Sequence, residues 1–294
     1  MMFDIIGKRF WFFLGSSIVI LIGIVSLATF GLKAGIELSS GSMMTVGFKQ
    51  EVVQGELKQE VASLGYANAI IQRTGEGNFL LRLPELKGEA RAELEAGLAA
   101  KFGNLEVKEF AEVSPLVAAE TMRNTAIAVA VAGIGILLYV TWAFRKMPDP
   151  LRYGTCAIIA LVHDVLVVVG IFSILGHILG WEINLMFITG ILAVIGYSVN
   201  DTVIIFDRIR ENLLKAQDSD FEVVVNNSLV ETLGRSLNTS LTTLFVVVAL
   251  LLFVGASIQN FAVALLIGIT AGTYSSICIA APLLVVWEKG KAVH

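Results

Sequence analysis

The sequence is poor in charge. Asp, Glu, Lys and Arg supply 16% of its 294 residues, against about a quarter in an ordinary soluble protein. Together with a hydrophobic share of 56%, this shortage excludes both a single water-soluble globule and a disordered chain. Positive charge is not in excess either. The 21 Lys+Arg and 25 Asp+Glu leave a net charge of −4, so there is no basic footprint for nucleic acid. Cysteine is nearly absent: Cys156 and Cys278 both lie in apolar runs, which excludes a disulfide framework.

The charges that are present are unevenly spread. Residues 33–123 hold 10 of the basic and 13 of the acidic residues, a soluble density, while the other two-thirds of the chain carries about one charge in nine residues. One part suits water and the other suits lipid. A membrane-spanning helix needs about 20 mainly apolar residues, and residues 10–32, 125–144, 153–179, 183–206, 237–256 and 261–287 qualify. Lys8 and Arg9 precede the first, as in a signal peptide. Its apolar run is about twice the length of a signal core and no small-x-small cleavage site follows, so it reads as a retained anchor.

The Lys/Arg bias of short loops sets orientation. Lys8, Arg9, Arg145, Lys146, Arg152, Arg208, Arg210, Lys215, Lys289 and Lys291 fall on one side, and the opposite loops at 181–182 and 257–260 carry no Lys or Arg. Both termini are therefore expected in the cytoplasm. The expected division is a cytoplasmic start and first span (1–34), an extracytoplasmic domain (35–118) and a five-helix membrane region (119–294). Trp11, Trp142, Trp181 and Trp287 stand at segment ends, where an aromatic belt forms.

Within the extracytoplasmic stretch the periodicity changes. Residues 43–48 alternate like a strand, and Val53, Leu57, Val61 and Leu64 have helical spacing. Short strands are predicted at 69–73 and 79–83 around a Gly75–Glu76–Gly77 turn, a helix at 89–102, and a strand at 105–113 with Leu105, Val107 and Glu109 on one side. The order βαββαβ is the ferredoxin-like plan of an α+β domain. No His/Cys cluster, phosphate loop or Ser/His/Asp set occurs in it, so a binding or moving part is expected rather than an enzyme.

Polar residues inside the apolar spans are few. A charge at the bilayer centre costs about 2.5–3.5 kcal/mol. The third span nevertheless contains His163 and Asp164, and the fourth contains Asn200, Asp201 and Thr202. Arg235 opens the fifth, followed by Ser236, Asn238, Thr239, Ser240, Thr242 and Thr243, and Arg235, Asn238, Thr239 and Thr242 share a stripe too polar for lipid. A carboxylate and a guanidinium entering from one side, with hydroxyls between, are the parts of a proton relay, because burial and a nearby cation act oppositely on a carboxyl group. Asp201, Arg235 and Asp164 are the candidate relay. His163, Asn200 and the hydroxyls read equally as interhelical glue. Gly268 and Gly272 form a GxxxG packing face. Residues 208–234, with Phe221, Val224, Val225, Leu229 and Leu233 on one side, suggest an amphipathic helix lying on the inner face or against a partner. No metal or cofactor site is expected.

Several stretches resemble the SecF family of bacterial protein-export membrane subunits. Residues 160–165 (ALVHDV) are similar to its ALxHD element, and residues 195–212 (IGYSVNDTVIIFDRIREN) match its most specific signature. Residues 234–243 (GRSLNTSLTT) resemble SRTxxTSxTT, and 272–277 (GTYSSI) resemble the last-helix motif. The early motif GxDFxGG reads here as residues 35–41 (GIELSSG), with Glu37 for Asp, Leu38 for Phe and Ser40 for the first Gly of the closing pair. The resemblance implies half of an RND-type unit that pairs with SecD and serves the SecYEG channel, with YajC and YidC as further partners. It also implies that the proton motive force is used to draw a polypeptide outward across the bacterial inner membrane. By position Asp201 and Arg235 would conduct the proton, with Asp164 and Asn200 in support. Whether the transported ion is H+ or Na+ stays open, the lack of a dense carboxylate cage favouring H+. Two other readings stand beside this one, an RND-type exporter half-unit for small molecules or lipids and a non-conducting translocon assembly factor.

Overall fold

The computed structural model describes residues 4–74, 77–215, 220–253 and 258–292. In chain order its elements are α1 (Arg9–Phe30), α2 (Ile36–Ser39), β1 (Gly41–Phe48), α3 (Gln54–Ser63), β2 (Ile70–Arg73), β3 (Phe79–Leu83), α4 (Gly88–Phe102) and β4 (Leu105–Val113), followed by α5 (Pro115–Ala143), α6 (Pro150–Leu179), α7 (Leu185–Lys215), α8 (Phe221–Phe253) and α9 (Gln259–Ser275). A π-helical stretch, Ser276–Ala280, joins α9 to α10 (Ala281–Ala292). Contacts divide the chain into two compact units, Ala34–Thr125 and the remainder.

Six described helices are long and apolar enough to cross a membrane, five in the larger unit and one, α5, that begins in the smaller unit and continues into the larger. Each covers most of one of the six predicted apolar stretches; the first, second and fourth stretches run one or two residues past a helix end, and the end of the fifth, at 254–256, lies outside the described residues. Glycines set the closest approaches. A Cβ on Gly170 of α6 would stand 2.7 Å from the Gly23 Cα of α1, so neither helix tolerates a side chain there. Three residues further on, Ser26 and Ser173 share a hydrogen bond of 2.9 Å. Between α7 and α9 the contacts advance in steps of four: Gly190 against Ala264, Val194 against Gly268, Ser198 against Gly272, and Thr202 bonded to Ser276 at 2.8 Å. Both numbers rise together, so these helices run parallel, and the predicted GxxxG face is what allows the approach.

The expected amphipathic segment is not a separate surface helix. Residues 208–215 continue α7 and residues 221–234 open α8, while 216–219 lie outside the described residues. Val224, Val225 and Leu229 are buried, with Phe221 and Leu233 packed against them, so the apolar side covers the bundle's own core. Asn212 bonds Ser228 at 3.0 Å and Glu231 at 2.9 Å across the two helices. Charges at this helix end pair with one another, Arg208 with Glu211 and Glu231 and Arg210 with Asp207. At the same end of α8, Glu222 accepts from Arg9 and Lys289, Asn226 Oδ1 accepts the Ile5 and Ile6 N–H groups, and Arg152 pairs with Glu288.

The smaller unit holds a four-stranded antiparallel sheet in the order β2-β3-β1-β4. Alternation puts Phe79, Leu81 and Leu83 of β3 on one face, where Leu57 and Val61 of α3 and Leu94, Leu98 and Phe102 of α4 meet them. Each such side chain, fully buried, contributes about 1.5–3 kcal/mol. Gly75 and Glu76 of the predicted turn lie outside the described residues; around them Thr74 N–H donates to the Asn78 carbonyl at 2.8 Å. One expectation fails in β4. The register shifts between Thr45 and Val46, which pair with Glu109 and Val107, leaving Lys108 as the extra residue of a bulge. The bulge breaks strict alternation, so Glu109 is exposed and Phe110 instead packs against the core. Before the sheet, Ser40 has φ 68° and ψ 167°, a region open essentially only to glycine.

Candidate functional site

The predicted polar residues gather around two carboxylates at matching positions in their helices. Asp164 is 14 residues from the Pro150 end of α6 and Asp201 is 14 residues from the Lys215 end of α7, about 21 Å in each case at 1.5 Å per residue. Both are buried, at 1% and 3% exposure.

Asp164 is fully engaged. Its Oδ1 lies 2.9 Å from His163 Nδ1, and its Oδ2 accepts from Ser198 at 2.5 Å and Ser275 at 2.8 Å. Helices α6, α7 and α9 each supply a group. The Gly272 contact with Ser198 brings α9 close enough for Ser275 to reach. Asp201 is nearly bare by contrast. Ser236 donates to Oδ1 at 2.8 Å, and Oδ2 has no hydrogen-bond partner among the described residues. No ion pair is made to Asp201 among the described residues. A proton can be added to that oxygen without breaking a hydrogen bond, whereas on Asp164 every oxygen is already in use.

Arg235 is not brought to Asp201. It is exposed and makes no ion pair or side-chain hydrogen bond among the described residues, and Asn238, Thr239 and Thr242 of its stripe are exposed with it. Thr239 and Thr242 turn back to carbonyls of their own helix, at 2.9 and 2.8 Å. Asn200 is exposed as well, while Thr202 is buried. The inward side of α8 is Ser236, Ser240 and Val247, with Tyr197 reaching Ser240 and Thr243 at 3.4 Å. A step of one residue turns a helix by about 100°, so a stripe through Arg235 leaves Ser236 on another face.

Sequence reasoning missed the hydroxyls of α9. Thr273 pairs with Ser240 at 2.6 Å, Ser275 with Asp164, and Ser276 with Thr202; between them the Tyr274 hydroxyl donates to the Phe12 carbonyl at 3.0 Å. The run of small hydroxylated residues after GxxxG was the available signal. A mainly apolar cavity of about 660 Å3 lies between α1, α6 and α9, with His163, Ser16 and Tyr274 in its wall. No group of three or more His, Cys, Asp or Glu placed to share a metal ion occurs among the described residues.

Residues 93–290 match the family model described as protein export membrane protein SecD/SecF, C-terminal. The chain is 45% identical, over 98% of its length and 95% of the relative's, to the protein translocase subunit SecF of Thermobaculum terrenum. It is 36% identical to the protein translocase subunit SecDF of Bacillus subtilis, covering 97% of this chain and 38% of that protein. The crystal structure of SecDF, a translocon-associated membrane protein from Thermus thermophilus, superposes with a TM-score of 0.86 at 33% identity, covering 98% of this chain and 39% of that one. The chain thus spans about two-fifths of the SecDF proteins and nearly all of the SecF relative, and it belongs to the SecD/SecF family of protein export membrane proteins.

Proposed function

We propose that this chain is a SecF-like subunit that, paired with SecD, couples the proton motive force to protein translocation through the Sec channel and promotes late steps of export outside the membrane. The observation that carries this reading is Asp201, a carboxylate at 3% exposure with one oxygen unpartnered among the described residues. A bare carboxylate is a costly way to hold helices together when Asn would serve; it is well suited to taking up and releasing a proton. The half-unit is of RND type, its βαββαβ unit follows the ferredoxin-like plan on the outer side of the inner membrane, and its ends face the cytoplasm.

SecD is the partner the surface asks for. Arg235, Asn238, Thr239 and Thr242 are exposed on a membrane-length helix, and a guanidinium facing lipid is unfavourable by kcal/mol. A second subunit covering this stripe would bury Arg235 and could bring a counter-charge into the relay. SecYEG is the channel served, with YajC and YidC as further associates. No cofactor is required, and no catalytic group acts on the polypeptide.

The test is completion of export in vesicles holding SecYEG, SecD and this chain, after ATP is removed and a proton gradient imposed. Asp201→Asn should reduce completion at least tenfold, and completion at the unaltered rate would overturn the coupling. Replacing the proton gradient by a sodium gradient identifies the ion.

A further inference from the structure

Four consecutive side chains near the end of α9 bond to four different helices: Thr273 to α8, Tyr274 to α1, Ser275 to α6 and Ser276 to α7. Successive residues of a helix point about 100° apart, so four in a row sweep most of the circle, and only an enclosed helix finds partners for all of them. The central apolar window of this span is 72% buried. The series ends where the backbone turns π-helical at Ser276, a local departure often found at functional sites.

The hydroxyls of Thr273, Ser275 and Ser276 also have a second acceptor within reach. Ser275 lies 3.2 Å from the Gly272 carbonyl, Thr202 and Ser276 lie 3.2 and 3.4 Å from that of Ser198, and Thr273 lies 2.8 Å from that of Ile269. A hydroxyl has one hydrogen to give. The Ser275 hydroxyl therefore has two alternative acceptors, Asp164 Oδ2 and the Gly272 carbonyl.

We propose that Ser275, held against Asp164 at the α-to-π junction, is a positioning residue whose hydroxyl follows the proton state of Asp164 and passes it to the backbone of α9 at Gly272. While the carboxylate is ionised, Ser275 donates to Oδ2. When a proton arrives on Oδ2, that oxygen becomes the donor, Ser275 Oγ accepts from it, and the Ser275 hydrogen turns to the Gly272 carbonyl. The titratable groups around Asp164 are His163 on its own helix and Tyr274 on α9, whose ring lies 6.1 Å from that of His163. Cys278 stands four residues beyond Tyr274, in the π segment, and α7 presents the hydroxyl of Ser198. The next residue, Ser276, bonds Thr202, the sequence neighbour of Asp201. This inference rests on the proton-coupled reading above.

The experiment uses the full chain with SecD. Ser275→Ala should slow gradient-driven export several-fold and Ser275→Thr should restore it. The infrared carboxyl band of protonated Asp164, identified by its loss in Asp164→Asn, should shift in Ser275→Ala and return in Ser275→Thr. Should Ser275→Ala fail to fold, Ser275→Cys, with a weaker donor of similar size, takes its place and should shift the band in the same sense. An unshifted band, or export at the unaltered rate, overturns the proposal. If Asp201→Asn is also without effect, the proton-coupled reading falls; if Asp201→Asn stops export while Ser275→Ala does not, only the role of Ser275 falls.

Discussion

Asp164 and Asp201 are equally buried in one helical unit, yet their surroundings are opposite. Three donors from two neighbouring helices and from its own helix hold Asp164. A single serine holds Asp201. Burial alone therefore does not set what a carboxylate costs to protonate; the number of hydrogen bonds that must rearrange does. Asp164 ties α6, α7 and α9 together, and altering its charge disturbs all three. Asp201 can change charge while its one hydrogen bond persists.

The largest effect should separate the two by stability. Asp164→Leu strands three buried donors, each costing about 1–3 kcal/mol, and should lower the unfolding midpoint in detergent far more than Asp201→Leu, which strands only Ser236. Equal losses would break the distinction. Next comes the packing that delivers Ser275 to Asp164. A Cβ on Gly272 would stand 2.9 Å from the Ser198 Cβ, so Gly272→Val should cost about 1–3 kcal/mol by overpacking and should leave the Asp201–Ser236 contact in place, as cross-linking of cysteines at 201 and 236 would report. Smallest in stability is Ser236→Ala. It removes one hydrogen bond, about 1 kcal/mol, but it removes the only one Asp201 has among the described residues, so export should fall out of proportion to the shift in midpoint.

Much of this was legible in the sequence, and the misses share a cause. Hydropathy registers removal from water, so it located the six spans. It did not join α7 and α8 to their extensions, because the charges from Asp207 onward end the apolar run and residues 208–234 read as a separate amphipathic helix, although 208–215 continue α7 and 221–234 open α8. Asp201 and Asp164 stood out because charge in an apolar run is rare. Which residue of α8 would touch Asp201 was not legible: Arg235 and Ser236 are adjacent, and choosing between their faces requires knowing where α7 lies. The strand pattern at β4 failed for a similar reason. A bulge at Lys108 depends on the partner strand, and nothing local to 105–113 announces it. The α9 hydroxyls were visible as residues, but their four separate partners come from four distant segments.

The backbone at Ser40 bears on which sequences neighbour this one. Its φ of 68° with ψ 167° costs a residue with a Cβ about 1–3 kcal/mol, and the resembling motif carries glycine at this place. Ser40→Gly should therefore raise the unfolding midpoint of the smaller unit by a margin few single changes match, and β-branched replacements should be excluded. In evolutionary terms the position is a reserve of unused stability, one substitution away, that could offset a destabilising change elsewhere in that unit.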